Sequence, residues 1–476
     1  MQFRLNYNLM KALYAVTQLA FLIILAQACK MSDKVHKIPG MKGLKTKTYS
    51  GFVPINGTSK QLHYIAAMSK HDAKRDPVII WFNGGPGCSS LMGWAQEHGP
   101  YVIEDGGSDF FKNNYSWNKE ATVIYLESPA GVGFSICPIP EECNFDDDSA
   151  AEDNFIALLN LFSMKFPELQ GNDLWLAGES YAGIYVPYLV RLIDQYNIQN
   201  PSNDFKPNLK GFILGNPLTD LTFDIYPAAV ELLYQHAMLD RDTYYGIKDQ
   251  CTTDVWQHFR NARGSCLEYI RTFYQLYRKI NIYDIYKRCY TNTLQSDPSS
   301  PDGRYFNTVE DFTPFITERM ENMSDGLLQK GGQSCTYDDK VVNYFRDEKV
   351  RKALNIPEGA PQWRICQKLS YQQCDTGSID IYDEIKERYR ILIFSGNTDG
   401  AIPTIGTLNW IQSLNWDVSE SWRPYFVNGQ LAGYTESRLN SNFVFASIHG
   451  TGHMAPQWKK AEVYHVVFSF IKDSII

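Results

Sequence analysis

The sequence predicts an α/β fold in which a central, mostly parallel sheet is flanked by helices. Short apolar segments alternate with helical patterns over residues 29–220, and this alternation is typical of chains that build parallel sheets. The alternation resumes at Ile391 and ends in a helix after Pro456. Between these two blocks, residues 221–345 are richer in helical and aromatic patterns. We therefore expect a helix-rich insertion there.

Several segments are clear element candidates because they are short, apolar and followed by turn residues, or because their apolar residues recur at helical spacing. The strand candidates are Val78–Trp81, Thr122–Leu126, Leu174–Ala177, Phe212–Leu214, Ile391–Gly396 and Phe443–Ile448. A helix is predicted from Ile184 to Tyr196. The core-facing residues of the last helix are predicted to be Val463, Val466, Val467, Phe470 and Ile471.

A serine lies at the turn between one of these strands and the next helix, in the segment Gly178-Glu179-Ser180-Tyr181-Ala182-Gly183. In α/β-hydrolases, this strand–turn–helix arrangement is the nucleophile elbow, where small residues allow a sharp turn that exposes the serine hydroxyl. Ala182 replaces the second glycine of the general motif, and its methyl group is still small. The motif alone is also compatible with an ordinary glycine-rich turn. Together with the strand pattern, it predicts an α/β-hydrolase with a helix-rich cap insertion.

A serine nucleophile needs a base and an acid that orients the base, and in this fold they follow the serine in the order acid, then histidine. Asp399 follows the strand candidate that begins at Ile391, and His453 follows the one that ends at Ile448. His449 competes with His453 for the role of base. We favour His453, because it follows two glycines on a loop that can reach across the site.

A glycine-rich segment, Trp81 to Ser90, follows the strand candidate that begins at Val78. Loops of this kind can bring backbone N–H groups to a developing oxyanion. A tight structural turn would have the same composition.

These segments together resemble the serine carboxypeptidases, a family of the α/β-hydrolase fold. The matching motifs occur in the order of that family and are spread over most of the chain. They are W-F-N-G-G-P-G-C-S-S at 81–90, E-S-P-A-G-V-G-F-S at 127–135, G-E-S-Y-A-G at 178–183, G-N-T-D-G at 396–400 and H-G-T-G-H-M at 449–454. Phe82 and Asn397 depart from the usual pattern, which has Leu and Asp at these positions.

The resemblance implies a role for each matching residue. Ser180 is expected to be the nucleophile, His453 the general base and acid, and Asp399 the group that holds the imidazole. Gly85 and Tyr181 would donate backbone N–H groups to the oxyanion. The residues expected to bind the free C-terminal carboxylate of a substrate are Asn83, Gly84, Glu97 and Glu179.

The expected pairing of Glu97 with Glu179 has a physical consequence. Two adjacent carboxyls resist double ionisation, so they retain a proton at mildly acidic pH. A protonated carboxyl can donate a hydrogen bond to a substrate carboxylate, whereas an ionised pair would repel it. We therefore expect an exopeptidase that releases C-terminal amino acids from peptides and proteins and is most active at acidic pH.

Three other functions were weighed against this one. Acyltransferase relatives of the family typically carry Asp beside the nucleophile, whereas this chain has Glu179. A protective, non-enzymatic role as a binding partner of other hydrolases is compatible with the sequence, although the whole triad is present. In a lipase or esterase, Asn83, Gly84 and the Glu pair would have no function in substrate recognition.

Composition and targeting signals restrict the partners of the chain. The net charge is −8 and the chain has no basic stripe, so we expect no nucleic-acid partner. Arg4 and Lys11 precede an apolar run that ends in an A-x-A-like site at Ala26–Ala28, which predicts a secretory signal peptide over residues 1–28. A membrane anchor is the alternative. After cleavage we expect no stable membrane insertion. The mature enzyme is expected in a lysosome or vacuole, or outside the cell, and homodimer formation is left open.

A secreted chain with ten Cys is expected to form disulfides. Local spacing suggests Cys137 with Cys143 and Cys251 with Cys266, while the resemblance suggests Cys88 with Cys366, or alternatively Cys374, and Cys289 with Cys335. Cys374 would then remain a free thiol. The candidate glycosylation sites are Asn56, Asn114 and Asn322. Neither a metal nor a cofactor is indicated.

The expected organisation is therefore a signal peptide over 1–28, a first part of the core over 29–220, a cap over 221–345 and a second part of the core over 346–476. Within the cap, a Ser-, Pro- and Asp-rich loop at Ser296–Gly303 is expected to be exposed.

Overall fold

One large sheet organises the part of the chain that the structure describes. The computed structural model describes residues 32–43, 45–104, 109–200, 205–252, 262–277, 280–287, 339–374 and 376–476. Within these residues, eleven strands join in the order β1-β2-β3-β7-β4-β9-β10-β12-β15-β14-β13. These strands are β1 Lys34–Val35, β2 Thr48–Pro54, β3 Gln61–Ala67, β4 Val78–Phe82, β7 Thr122–Leu126, β9 Leu174–Glu179, β10 Leu209–Gly215, β12 Arg390–Gly396, β13 Val418–Val427, β14 Gln430–Arg438 and β15 Phe443–Ile448. Short strands β5 Tyr101–Val102, β6 Phe111–Lys112, β8 Asn144–Asp146 and β11 Ser370–Gln372 pair outside it.

The middle of the sheet is parallel and both of its edges are antiparallel. Strands β7, β4, β9, β10, β12 and β15 run in the same direction. This confirms the predicted fold class, and all six predicted strands belong to this parallel part. The sheet is not parallel throughout, because β1, β2 and β3 at the start of the 29–220 block are antiparallel. The connection from Pro54 to Gln61 is too short for a parallel crossover.

The strand pair β13–β14 was not predicted. Most residues of β13 are exposed, so the strand lacks the apolar pattern on which the other assignments depend. The turn between the two strands nevertheless carries a clear signal, since Asn428 and Gly429 both adopt positive φ values, 52° and 74°. Asn-Gly between two extended segments is a strong hairpin signal.

Helices cover both faces of the sheet. They are α1 Asp147–Asn160, α2 Ala182–Gln199, α3 Tyr226–Gln235, α4 Arg241–Gln250, α5 Gly264–Tyr277, α6 Asp339–Arg346, α7 Glu348–Ala353, α8 Ile379–Ile385, α9 Thr404–Ser413, α10 Ala455–Trp458 and α11 Lys460–Ile471. Alternate residues of each central strand enter opposite cores, so Ile80 packs in the layer with α2 and Ile79 in the layer with α11. The central strands are therefore largely apolar, and Val78–Phe82 is buried at every position.

Several predictions fall outside the described residues. These are the signal peptide over 1–28, the Ser296–Gly303 loop, the Cys289–Cys335 pair and the sequon at Asn322. The described part of residues 221–345 is mainly helical. Across the described ranges, no helix has both the length and the apolar character needed to cross a bilayer.

Three disulfides are present in the described part of the chain. They join Cys88 to Cys366, Cys137 to Cys143 and Cys251 to Cys266. Cys374 is a free thiol. The sequon residues Asn56 and Asn114 are both exposed.

A fully buried carboxylate, Glu127, ties together distant parts of the core. Its side chain accepts hydrogen bonds from Phe134 N at 2.9 Å, from Trp363 Nε1 at 3.3 Å and from Ser89 Oγ. It also contacts His63 Nδ1 at 2.8 Å, and both partners of this pair have 0% side-chain exposure. The network thus connects β3, the glycine-rich loop and the segment after α7, and it satisfies a charge whose burial would otherwise be costly.

We expect Gly133→Ala to destabilise the fold strongly. Gly133 has φ +56°, and a Cβ atom there would lie 1.7 Å from Glu127 Oε1. Gly429 is a matched control, because its φ is +74° and a Cβ atom would meet nothing within 4 Å. Gly429→Ala should therefore cost only the left-handed strain, about 1–2 kcal/mol. Gly133→Ala should lower the free energy of unfolding in urea by clearly more. Equal losses in the two variants would contradict the importance of this network.

Candidate active site

Ser180 lies at the sharp turn between β9 and α2. Its φ is +63°, a left-handed conformation that non-glycine residues adopt at a cost of about 1–2 kcal/mol. Backbone hydrogen bonds stabilise this conformation: Ser180 N donates to Gly215 O at 3.1 Å, and Ser180 O accepts from Gly183 N and Leu218 N, both at 2.9 Å. The side chain of Ser180 is partly exposed, at the carboxyl end of the parallel sheet.

The turn needs glycine on both sides of the serine because other backbone atoms pack against it. A Cβ atom at Gly178 would lie 2.5 Å from both Ala182 Cβ and Phe82 O, and one at Gly183 would lie 2.2 Å from Leu218 O. Ala182 is tolerated in place of the general glycine because Gly178, which it faces, has no side chain. The substitution therefore leaves the turn intact.

An Asp–His pair lies on two loops beside this turn. His453 Nδ1 is 2.7 Å from Asp399 Oδ2. The same carboxylate accepts hydrogen bonds from Asn216 Nδ2 and Ala401 N, both at 2.8 Å. Burial raises the pKa of Asp399, and the charge and hydrogen bond of His453 oppose this rise. These donors fix the carboxylate in one orientation toward the imidazole.

His449, the alternative candidate for the base, lies elsewhere. It is exposed at the end of β15, where its Nδ1 is 3.3 Å from Asn397 Nδ2. His453 is buried and contributes to the same pocket as Ser180. The structure therefore brings His453 together with Asp399 and Ser180.

The amide of Asn83 connects the two glutamates. Its oxygen accepts hydrogen bonds from Trp81 Nε1 at 2.8 Å and Gly93 N at 3.2 Å. Because the oxygen is held in this way, the Nδ2 group points at the carboxyls, donating to Glu179 at 2.8 Å and to Glu97 at 3.2 Å. One amide thus holds both carboxyl groups side by side.

Both carboxyls of this pair are buried, and their pKa values are raised. Burial raises the pKa of Glu97 to about 7. Burial, reinforced by the charge of Glu97, raises the pKa of Glu179 well above its usual range. The pair therefore holds at least one proton in mildly acidic solution.

The glycine-rich turn touches the serine turn through its backbone. A Cβ atom at Gly84 would lie 2.3 Å from Tyr181 N and 2.9 Å from Ser180 Cβ. Gly85 adopts φ +122° and, like Gly84, lines the pocket next to Ser180. The backbone of this turn is therefore adjacent to the serine, as an oxyanion site requires.

One pocket brings most of these groups together, with about 570 Å³ of empty space when its solvent-open mouth is included. Its walls include Ser180, His453, Asn83, Gly84, Gly85, Glu97 and Glu179, and also the Cys88–Cys366 disulfide. Asp399 is fully buried and reaches the pocket only through His453.

Sequence reasoning missed two residues of this region. Asn216 follows the end of β10, and a polar residue at the end of a parallel strand is a usable signal. Tyr283 lines the pocket but comes from the 221–345 stretch, where no motif marks it.

The chain is similar to known proteins in both sequence and fold. Residues 39–473 match the family described as serine carboxypeptidase. Serine carboxypeptidase 1 of Hordeum vulgare is 32% identical, covering 92% of this chain and 92% of its own. The lysosomal protective protein of Mus musculus is also 32% identical, covering 96% of this chain and 98% of its own. A prohormone-processing carboxypeptidase from Saccharomyces cerevisiae shares the fold, with a TM-score of 0.69, 19% identity and coverage of 93% of this chain and 96% of its own.

The sheet and its flanking helices define an α/β-hydrolase. The family match extends over most of the chain, so the chain belongs to the serine carboxypeptidase family and is a serine-type carboxypeptidase. The resemblance stated from the motifs is confirmed.

We expect the buried Glu97 to make the fold less stable as pH rises. Its folded pKa of about 7 lies above the ordinary value of 4.5, so its contribution is complete below pH 4.5 and is lost as pH rises through about 7. The loss should approach about 3 kcal/mol, since one pKa unit corresponds to about 1.4 kcal/mol. Glu97→Gln should flatten the decline of the unfolding free energy between pH 5 and pH 8. The exposed Glu358→Gln is the control, and an unchanged slope in Glu97→Gln would contradict the expectation.

Proposed function

We propose that this enzyme releases single amino acids from the C-terminus of peptides through an acyl-enzyme on Ser180 and works best at acidic pH. The observation that carries the proposal is the carboxyl pair that Asn83 holds in the same pocket as Ser180 and His453. An endopeptidase or an esterase has no use for such a pair. A carboxypeptidase needs a group that recognises the terminal carboxylate of its substrate.

In the proposed reaction, the Ser180 hydroxyl attacks the last peptide carbonyl while His453 accepts its proton. The backbone N–H groups of Gly85 and Tyr181 stabilise the resulting oxyanion. His453, oriented by Asp399 at 2.7 Å, then protonates the leaving amine. Water activated by the same imidazole hydrolyses the acyl-enzyme and restores the serine.

In the proposed binding mode, the substrate carboxylate meets Asn83, Gly84 and the protonated Glu97–Glu179 pair. A proton on the pair lets it donate a hydrogen bond to the carboxylate, and this bond is charge-assisted. As pH rises through about 7, Glu97 ionises and the pair then repels the substrate. Recognition of the C-terminus is therefore expected to weaken as the pH rises through about 7.

This preference for acid agrees with a location in the secretory pathway, in a lysosome or vacuole or outside the cell. The three disulfides of the described residues support such a location, because disulfides persist in oxidising compartments. Within this proposal, residues 221–345 act as a cap that sets side-chain preference.

We expect the purified protein to release the terminal amino acid from N-blocked dipeptides faster at pH 5 than at pH 8. Ser180→Ala should abolish release, because it removes the nucleophile. The matching dipeptide amides, which lack the carboxylate, should be poor substrates at pH 5. Amino-acid analysis or a coupled assay measures the product. If folded protein released nothing from any dipeptide, the proposal would be wrong, and acyl transfer or a binding role would replace it.

We expect Glu97→Gln to remove much of the pH dependence of substrate binding. The wild-type KM for a blocked dipeptide should rise about tenfold for each pH unit above the pKa of the pair, since one ionisation is involved. Glutamine cannot ionise, so the variant's KM should change much less between pH 6 and pH 8. The dipeptide amide is the control, because it lacks the carboxylate and its KM should not follow ionisation of the pair. Parallel profiles for variant and wild type would count against the carboxylate-binding role.

A further inference from the structure

A short segment outside the sheet runs beside both loops of the Asp–His pair. It comprises residues 281–287, and we call it the strap. The strap belongs to the 221–345 stretch, whereas Asp399 and His453 follow strands β12 and β15 of the sheet. It therefore joins the predicted cap directly to the groups that orient and carry out the proposed proton transfer.

The strap binds the loop of Asp399 on its N-terminal side through a side chain. Thr398 Oγ1 donates to Asp284 Oδ1 at 2.9 Å, and Ile285 N donates to Thr398 O at 3.0 Å. Asp284 and Thr398 are both buried, so water does not compete for this bond. The residue immediately before Asp399 is thus held on both its side chain and its backbone.

The strap also binds the loop on the C-terminal side of Asp399. Gly400 N donates to Ile282 O at 2.8 Å, and Tyr277 OH, from the end of α5, donates to Gly400 O at 2.8 Å. A Cβ atom at Gly400 would lie 3.0 Å from Ile282 O. Asp399 is consequently fixed between two residues that are both tied to the same stretch.

Tyr283, which lies between Ile282 and Asp284 in the strap, holds the loop of His453. His453 N donates to Tyr283 O at 2.7 Å. The approach is close, since a Cβ atom at Gly452 would lie 1.8 Å from Tyr283 O. The Tyr283 ring lies 5.4 Å from the imidazole, centroid to centroid. One strap residue therefore positions the backbone of the base, while its neighbours position the acid.

Asp284 is the strap side chain that contributes most directly to this arrangement. Its Oδ1 atom accepts a hydrogen bond from Tyr286 N at 3.1 Å as well as the bond from Thr398. It thus shapes the strap and binds the catalytic loop with one oxygen atom. The other contacts of the strap with the Asp399 and His453 loops are mainly through backbone atoms.

We propose that the strap is a positioning element for the Asp399–His453 pair and that Asp284 is its central positioning residue. This inference rests on the proposed function, because it assigns the strap a part in that reaction. Loss of the Asp284 contact loosens the Thr398 side of the Asp399 loop, so the carboxylate and imidazole spend less time at the distance that transfers a proton. Misplacement of catalytic groups by about 1 Å can lower a rate about a hundredfold.

The test compares Asp284→Ala with Asp284→Asn in hydrolysis of a blocked dipeptide at pH 5. Alanine removes the acceptor, whereas asparagine keeps an oxygen that can accept both bonds. We expect kcat per active site to fall between about tenfold and a hundredfold in Asp284→Ala while KM stays within about twofold. Asp284→Asn should recover most of the loss. Exposed Asp249→Ala, in the same 221–345 stretch, should match wild type.

Active sites are counted by endpoint labelling of Ser180 with a fluorophosphonate, so misfolded protein does not enter kcat. If Asp284→Ala is not obtained folded, Thr398→Val against Thr398→Ser supplies the same comparison, since serine keeps the donating hydroxyl. Two results would overturn the proposal. One is an unchanged kcat per active site in the variant that lacks the bond. The other is failure of the conservative variant to recover activity. If the wild-type protein were inactive, the proposed function itself would be wrong, and the strap would have no proton transfer to support.

Discussion

Strands β4 and β9 are neighbours in the sheet, and the turns that follow them touch through their backbones. The register pairs Phe82 with Gly178, so Asn83 lies beside Glu179 as soon as the two strands end. No side chain fits at Gly84, because a Cβ atom there would overlap Tyr181 N. This contact places the glycine-rich turn, the carboxyl pair and Ser180 at one point. The floor of the pocket is thus a consequence of strand pairing, while other segments contribute Glu97, Tyr283 and His453 to its walls.

The two carboxyl groups are held side by side because the orientation of the Asn83 amide is fixed. Its oxygen is already bound to Trp81 and Gly93, so its donors must face Glu97 and Glu179. Two buried carboxyls that share one donor group remain partly protonated well above the ordinary pKa of a glutamate. In the proposed binding mode, the same burial that lowers stability as pH rises would also link recognition of a C-terminus to acidic solution. Stability and the proposed specificity therefore depend on one proton.

The sequence predicted the parts of this molecule that local patterns encode. The parallel strands are largely apolar, and the glycines around Ser180 are required because other atoms lie where a Cβ atom would be. The hairpin of β13 and β14 was not predicted because β13 is largely exposed, although Asn428-Gly429 is a hairpin signal in the sequence. Asn216 and Tyr283 were not predicted as site residues for another reason. Their contacts join segments far apart in the chain, and neither lies in a motif.

The strap explains why such contacts leave so little trace in a sequence. Its hold on Asp399 and His453 runs mostly through backbone N–H and C=O groups, which every residue except proline possesses. Side-chain identity matters where a bond or a close approach demands it, as at Asp284 in the strap and at Gly400 and Gly452 in the two loops that it contacts. Elsewhere in the strap, Asn281 accepts a hydrogen bond from Tyr283 N, and Ile282, Tyr283 and Ile285 are buried, so packing constrains these side chains without producing a recognisable motif. If residues 221–345 form the proposed cap, this one segment must therefore keep its path beside the loops of Asp399 and His453, whatever the rest of the insertion contributes to substrate preference.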